Sequence, residues 1–122
     1  MTRATLNKTF TQADFDAFAE LSGDNNPIHV DPVFAGTTRF GKTVAHGALL
    51  CAVLRGVVEE LVPGGRQLSQ ETMYPAPSPV GEPLQFSAEI TAVQADTVQL
   101  DLMITRLNDQ TITCRGKTEL AR

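Results

Sequence analysis

The stretch from Ser22 to Asp31 reads Ser-Gly-Asp-Asn-Asn-Pro-Ile-His-Val-Asp and brings together two groups able to move protons, Asp24 and His29. A carboxylate and an imidazole at this spacing suit general acid–base work on one substrate, because histidine ordinarily titrates near neutral pH. Between them lies Asn25-Asn26-Pro27, a turn signal that disfavours helix, so both groups are expected on a loop stiffened by Pro27. A second polar piece, Ala45-His46-Gly47, opens a long apolar run. The two pieces are expected to form opposite walls of one active site. Taken singly, Asp24 is as well explained as a turn residue and His29 as a structural hydrogen-bonder; their combination with Asn26-Pro27 and His46-Gly47 is what points to chemistry. Asp24, His29, Asp31 and His46 lack the spacing of a metal motif, so neither metal nor cofactor is expected.

The elements that must position these residues are legible on either side. Residues 4–10 suggest a short strand ending in Phe10. Thr11 then has the character of a helix N-cap, with Asp14 as its capping-box partner and Phe10 with Phe15 as a hydrophobic staple. Phe15, Phe18 and Ala19 supply the apolar stripe of a helix that stops near Ser22-Gly23. Asp31-Pro32 reads as the cap and first residue of a helical turn. Thr37 to Lys42 is a loop carrying Arg39 and Lys42. From His46 to Val62 the chain is apolar on every side, which predicts a helix buried all round, stopped by Pro63-Gly64-Gly65. Tyr74 to Pro83 is proline-rich and reads as an irregular edge or loop.

The last third alternates with period two. Leu84, Phe86, Ala88, Ile90 and Ala92 face one way, as do Val98, Leu100, Leu102 and Ile104, and then Ile112, Cys114 and Leu120. Turns fall at Gln94-Ala95-Asp96 and Asn108-Asp109. This predicts an antiparallel meander with one apolar and one wet face, curled round the apolar helix. One small sheet does not cover such a helix on all sides, and pairing with a second copy would close the gap.

At 122 residues the chain is expected to be one domain over 1–122, with an ordinary 42% hydrophobic and 20% charged content. A formal charge of -4 leaves no basic stripe for nucleic acid. The longest apolar run is too short to span a membrane, and the N-terminus does not read as a signal peptide. Cys51 and Cys114 stand apart with no zinc or redox spacing, which fits a reducing, cytoplasmic setting.

Phe-Ala-x-Leu-Ser-Gly-Asp-x-Asn-Pro-Ile-His-x-Asp-Pro, followed by Phe-Gly-x-Thr-Val-Ala-His-Gly, resembles the MaoC-like dehydratases, and most of all the (R)-specific enoyl-CoA hydratases. The likeness is strong from Phe15 to Leu54 and rests on pattern alone in the C-terminal strands. It implies an α+β hot-dog fold, an antiparallel sheet wrapped around a long central helix, and a homodimer. It implies an acyl thioester substrate, on coenzyme A or acyl carrier protein, and reversible syn addition of water across its 2,3 double bond. The family's catalytic aspartate and histidine fall on Asp24 and His29, and its Asn-Pro asparagine on Asn26.

That reaction needs a base for the water attacking C3, an acid for C2, and a donor for the thioester oxygen. Asp24 and His29 can share one water and divide the proton transfers, each such transfer being worth about two to four orders of magnitude. The backbone amide of Gly47 is the expected oxyanion donor, since unpaired amides and the positive dipole end gather at a helix start. Asn26 is expected to orient the loop, and His46 to line the site or brace it. Arg39 and Lys42 are candidates for the phosphates of coenzyme A, or plain solvated charges. Arg55 interrupts the apolar helix where the family carries a small polar residue; it either reaches the acyl pocket or pairs with Glu59 one turn on. Two rivals stand beside hydration: a thioesterase on the same fold, and a non-catalytic acyl-binding subunit of a heteromeric dehydratase.

Overall fold

The computed structural model describes residues 2–122. In order the elements are β1 (Arg3–Lys8), α1 (Gln12–Ser22), α2 (Pro27–Val30), α3 (Pro32–Gly36), α4 (Gly47–Leu61), β2 (Arg66–Met73), β3 (Leu84–Val93), β4 (Thr97–Arg106) and β5 (Thr111–Ala121). The strands form one antiparallel sheet in the order β1-β3-β4-β5-β2. Helix α4 lies on its inner face, mainly against β3 and β1. This is the hot-dog arrangement, α+β, with the expected sheet and helix in the expected roles.

The first helix forms as its sequence dictates. Thr11 caps it, and both capping-box bonds are made: Thr11 Oγ1 accepts from the Asp14 amide, and Asp14 Oδ2 accepts from the Thr11 amide. The Phe10 and Phe15 rings lie 5.8 Å apart as the staple predicts. Gly23 ends the helix at φ 82°, a left-handed conformation open to glycine at little cost.

The core is a single cluster in which Phe10, Phe15 and Phe86 join Leu54 and Val58 of α4 and the inward side chains of β3, β4 and β5. Each large apolar side chain buried here contributes about 1.5–3 kcal/mol. Helix α4 keeps the open face that one small sheet was expected to leave. Within one chain it buries a single stripe, Leu50, Leu54, Val57 and Val58, and leaves Ala48, Ala52 and Gly56 exposed. A sheet of five strands covers one side of a helix, so an all-round apolar sequence keeps an open face in the lone chain.

Three differences have local causes. Strand β2 was not expected, because Arg66-Gln-Leu-Ser-Gln-Glu-Thr-Met73 shows no apolar alternation; as an edge strand it is largely exposed and needs none. A bulge in β3 pairs Ala92 with Gln99 while Ile90 pairs with Leu100, so Ala92 leaves the face that Ile90 keeps. A bulge in β5 does the same to Ile112, which pairs with Thr105, whereas Cys114 pairs with Ile104 and stays buried with Thr113.

Candidate active site

The segment expected to be a loop is partly helical. Pro27 does not block α2 but begins it, since proline suits a first helical position whose amide has no partner. Asn26 is the N-cap, its Oδ1 accepting from the Ile28 amide at 3.1 Å. His29 therefore stands on a short helix. Asp31 N-caps α3 as predicted, accepting from the Val33 and Phe34 amides at 3.1 Å each, which commits its carboxylate to the backbone.

Asp24, His29 and His46 converge, with one ligand-type atom of each within 4.8 Å of the others. His29 Nε2 lies 3.9 Å from Asp24 Oδ2, with the His29 side chain 14% exposed and Asp24 56%. His29 Nδ1 is 2.8 Å from the Val44 carbonyl oxygen. A carbonyl only accepts, so Nδ1 carries the hydrogen in neutral His29 and Nε2 presents a lone pair. Asp24 Oδ1 accepts from the Asn26 amide at 3.4 Å, which leaves Oδ2 towards His29. Two acceptors thus face each other across 3.9 Å. One water can bridge them with ordinary bonds of about 2.8 Å.

His46 holds this pair in place. It is buried to 1% exposure, and its Nε2–H donates to the Asp24 carbonyl at 2.9 Å. Its ring stacks on His29 with centroids 3.9 Å apart, and Phe18 meets it edge-on at 4.9 Å. Burial holds its pKa below the usual histidine range, against the opposing pull of its bond to the Asp24 carbonyl. Its Nδ1 is the one buried side-chain polar atom among the described residues without a partner. Two of the four imidazole nitrogens that a metal could use are already bonded to carbonyls.

Gly47 follows as the first residue of α4, and its amide has no acceptor among the described residues. It lines a cleft of about 290 Å³ with Arg39, Val44, Leu50, Tyr74 and the 75–78 segment. Asp24 and His29 are not on that wall; Val44, Ala45 and Gly47, which flank His46, are. Arg39 spreads over the Phe40 ring at 5.1 Å, and Lys42 pairs with Glu82 at 3.7 Å. Arg55 is not brought to the pair. It bonds Glu59 at 3.2 Å and donates to the Gly65 carbonyl at 2.6 Å, bracing the far end of α4.

Two supports have no signature in the sequence. Gln12 Nε2 donates to the His29 carbonyl at 2.9 Å, and Gln12 Oε1 accepts from the buried Thr43 hydroxyl at 2.6 Å. Tyr74 donates to the Gly47 carbonyl at 3.1 Å. These partners are 17, 31 and 27 residues apart, and no local pattern links them.

Residues 2–111 match the family model described as MaoC like domain. An (R)-specific enoyl-CoA hydratase of Aeromonas caviae is 38% identical over 96 residues, 77% of this chain and 72% of that protein. A 3-hydroxybutyryl-CoA dehydratase of Methylorubrum extorquens is 33% identical over 87 residues, 70% of this chain and 55% of that protein. The solved structure of an (R)-hydratase from A. caviae, involved in PHA biosynthesis, superposes with a TM-score of 0.90 at 33% identity, covering 97% of this chain and 92% of that one.

Proposed function

The chain belongs to the MaoC-like dehydratase family, and from that premise we propose that it catalyses reversible syn hydration of trans-2-enoyl thioesters to (R)-3-hydroxyacyl thioesters. The observation that carries the reading is the pair of proton acceptors, Asp24 Oδ2 and His29 Nε2, facing across 3.9 Å beside a helix start with a free amide. A water held between them offers one hydrogen to each. Its oxygen attacks C3 as one acceptor takes a proton from it, and that acceptor, now protonated, delivers the same proton to C2 from the same side, so that the water adds as OH at C3 and H at C2. The electron pair of the double bond is meanwhile drawn towards the thioester oxygen. The Gly47 amide receives that oxygen at the positive end of α4, where losing one such donor typically costs about 3 kcal/mol. Asn26 and His46 act on the pair through the backbone, one by capping α2 and the other by fixing the Asp24 carbonyl.

The carrier is coenzyme A or an acyl carrier protein. Arg39, on the cleft wall with no carboxylate partner among the described residues, supports phosphate binding from either. The exposed stripe of Ala48, Ala52 and Gly56 supports a homodimer that covers the open face of α4. No helix among the described residues is long and apolar enough to cross a membrane.

The test is crotonyl-CoA hydration by purified protein, followed by loss of the conjugated enoyl absorbance. Asp24→Asn and His29→Ala are each expected to lower turnover by about two to four orders of magnitude while the circular dichroism spectrum is kept. Near-normal turnover in either variant refutes the roles given. Release of free thiol from the wild type would point to hydrolysis instead, and a folded but silent homodimer to a binding subunit.

A further inference from the structure

The three helices that precede α4 are each fastened at the start by a side chain: Thr11 for α1, Asn26 for α2, Asp31 for α3. The long helix α4 is not. Its N-cap is His46, which makes no side-chain cap bond. A cap such as Ser or Asp would occupy the first-turn amides. Its absence leaves them open to a substrate oxygen, but it also leaves the helix start, a glycine with no Cβ to restrain it, free to fray.

Tyr74 stands where that freedom can be removed without touching an amide. It follows β2, lines the cleft beside Gly47, and donates its phenolic proton to the Gly47 carbonyl at 3.1 Å. A Cβ on Gly47 would lie 3.1 Å from the tyrosine Cζ and 3.3 Å from its hydroxyl oxygen, so the ring rests directly on the glycine. The hydroxyl lies 2.9 Å from Cys51 Sγ and accepts from Thr72 Oγ1 at 3.4 Å, which ties the helix start to the end of β2. Burial and the Cys51 contact push its pKa up to about 12, so the phenol keeps its proton at any working pH.

We propose that Tyr74 is a positioning residue that takes the place of the missing cap, latching the first turn of α4 through the Gly47 carbonyl so that the Gly47 amide stays aimed at the thioester oxygen. The proposal rests on the assignment of that amide as the donor. Tyr74 does not touch the reacting atoms; it holds the carbonyl of Gly47 and lays its ring on the glycine, and so acts on the amide one Cα away.

The experiment uses Tyr74→Phe, which keeps the ring on Gly47 and removes only the hydroxyl. An aryl-conjugated enoyl thioester of coenzyme A serves as the probe, because polarisation of its carbonyl shifts its absorption to longer wavelength on binding. The wild type is expected to show the shift and Tyr74→Phe to lose most of it, with kcat for crotonyl-CoA down about 10- to 100-fold and KM little changed. Cys51→Ala is expected to keep the shift, because the bond to Gly47 remains. A full shift in Tyr74→Phe, a rise in KM alone, or the same loss in Cys51→Ala would each overturn the latch. If the wild type itself shows no shift, the donor assignment and the latch fall together, and the Asp24 and His29 variants still decide hydration.

Discussion

Removing Gln12 should cost more than its position near the start of α1 suggests. Its amide bridges two groups that the site needs: it donates to the His29 carbonyl at 2.9 Å and accepts from Thr43, whose residue is 1% exposed, at 2.6 Å. In Gln12→Ala the Thr43 hydroxyl is left buried with no acceptor, a penalty of about 1–3 kcal/mol, and the loss of the His29 bond adds about 1. The bond from Gln12 to Asp16 is exposed and adds nothing to the sum. The variant should therefore be less stable by about 3 kcal/mol. Thr43→Val leaves Gln12 free to find water and should cost only about 1 kcal/mol. The double variant removes the orphaned hydroxyl together with its partner, so it should lose about 1–2 kcal/mol rather than the sum of about 4. The assay is urea unfolding at one fixed protein concentration, comparing midpoints at unchanged slope. A coupling near 2 kcal/mol is expected between the two sites. Strict additivity would mean that the bridge carries no energy, and the reasoning from burial would fail with it. Crotonyl-CoA turnover of Gln12→Ala at low temperature should also fall, because the backbone beneath His29 is no longer held.

Two further outcomes follow from the geometry. His46 is kept neutral by burial, with a folded pKa below its unfolded value of about 6.5, so the unfolded chain gains a proton first as pH falls. Stability should drop on acidification below about pH 6.5, by at most about 1.4 kcal/mol per pH unit for one proton, and level off below the folded pKa. Asp14 and Asp109, both held below the usual carboxylate range by hydrogen bonds, weaken the fold only in more acid solution. Thermal melts from pH 7 to pH 5 should show a shallower decline for His46→Gln, which donates without titrating; equal slopes would count against the assignment. Arg55→Ser should lower stability by about 1–2 kcal/mol through loss of the bond to the Gly65 carbonyl. It should leave the preference among enoyl chain lengths, and for a carboxylated enoyl thioester, unchanged; an altered preference would put Arg55 in the acyl pocket.

What the sequence made legible is what depends on neighbours in the chain. The Thr11–Asp14 box, the Phe10–Phe15 staple, the Asp31-Pro32 start and the alternation of β3 and β4 each follow from residues within a few positions of one another. The same locality explains the failures. Pro27 reads equally as a helix breaker and as a first helical residue, and only the cap made by Asn26 decides between them. A bulge has no composition of its own, so the turn of Ala92 and Ile112 away from their expected face could not be foreseen. At the site, Asp24, His29 and His46 could be singled out because few residue types can carry proton chemistry, and the structure brings the three side chains together. Gln12, Thr43 and Tyr74 could not, because any polar side chain of the right reach can hold a backbone group.

The proline-rich segment shows how such a site is held once those local rules run out. Prolines were expected to keep residues 74–83 out of any ladder, and they do, save one isolated antiparallel bridge between Val44 and Pro79. The bonds that flank it run from the Ala45 amide to the Ser78 carbonyl at 3.0 Å and from the Val80 amide to the Thr43 carbonyl at 3.0 Å. Pro79 sits in the unbonded position of this pair and Pro77 lies before it, so neither missing amide is required. The bridged residues, 43–45, are those that carry the acceptor for His29 and the partner of Gln12, and they lead directly into His46 and Gly47. The prolines stiffen one wall of the cleft, and the short pairing passes that stiffness to the strip that holds the His29 ring through the Val44 carbonyl and leads into His46. A flexible segment of the same length would make the same two bonds but would hold the catalytic pair less firmly, since each proline removes backbone freedom before folding begins.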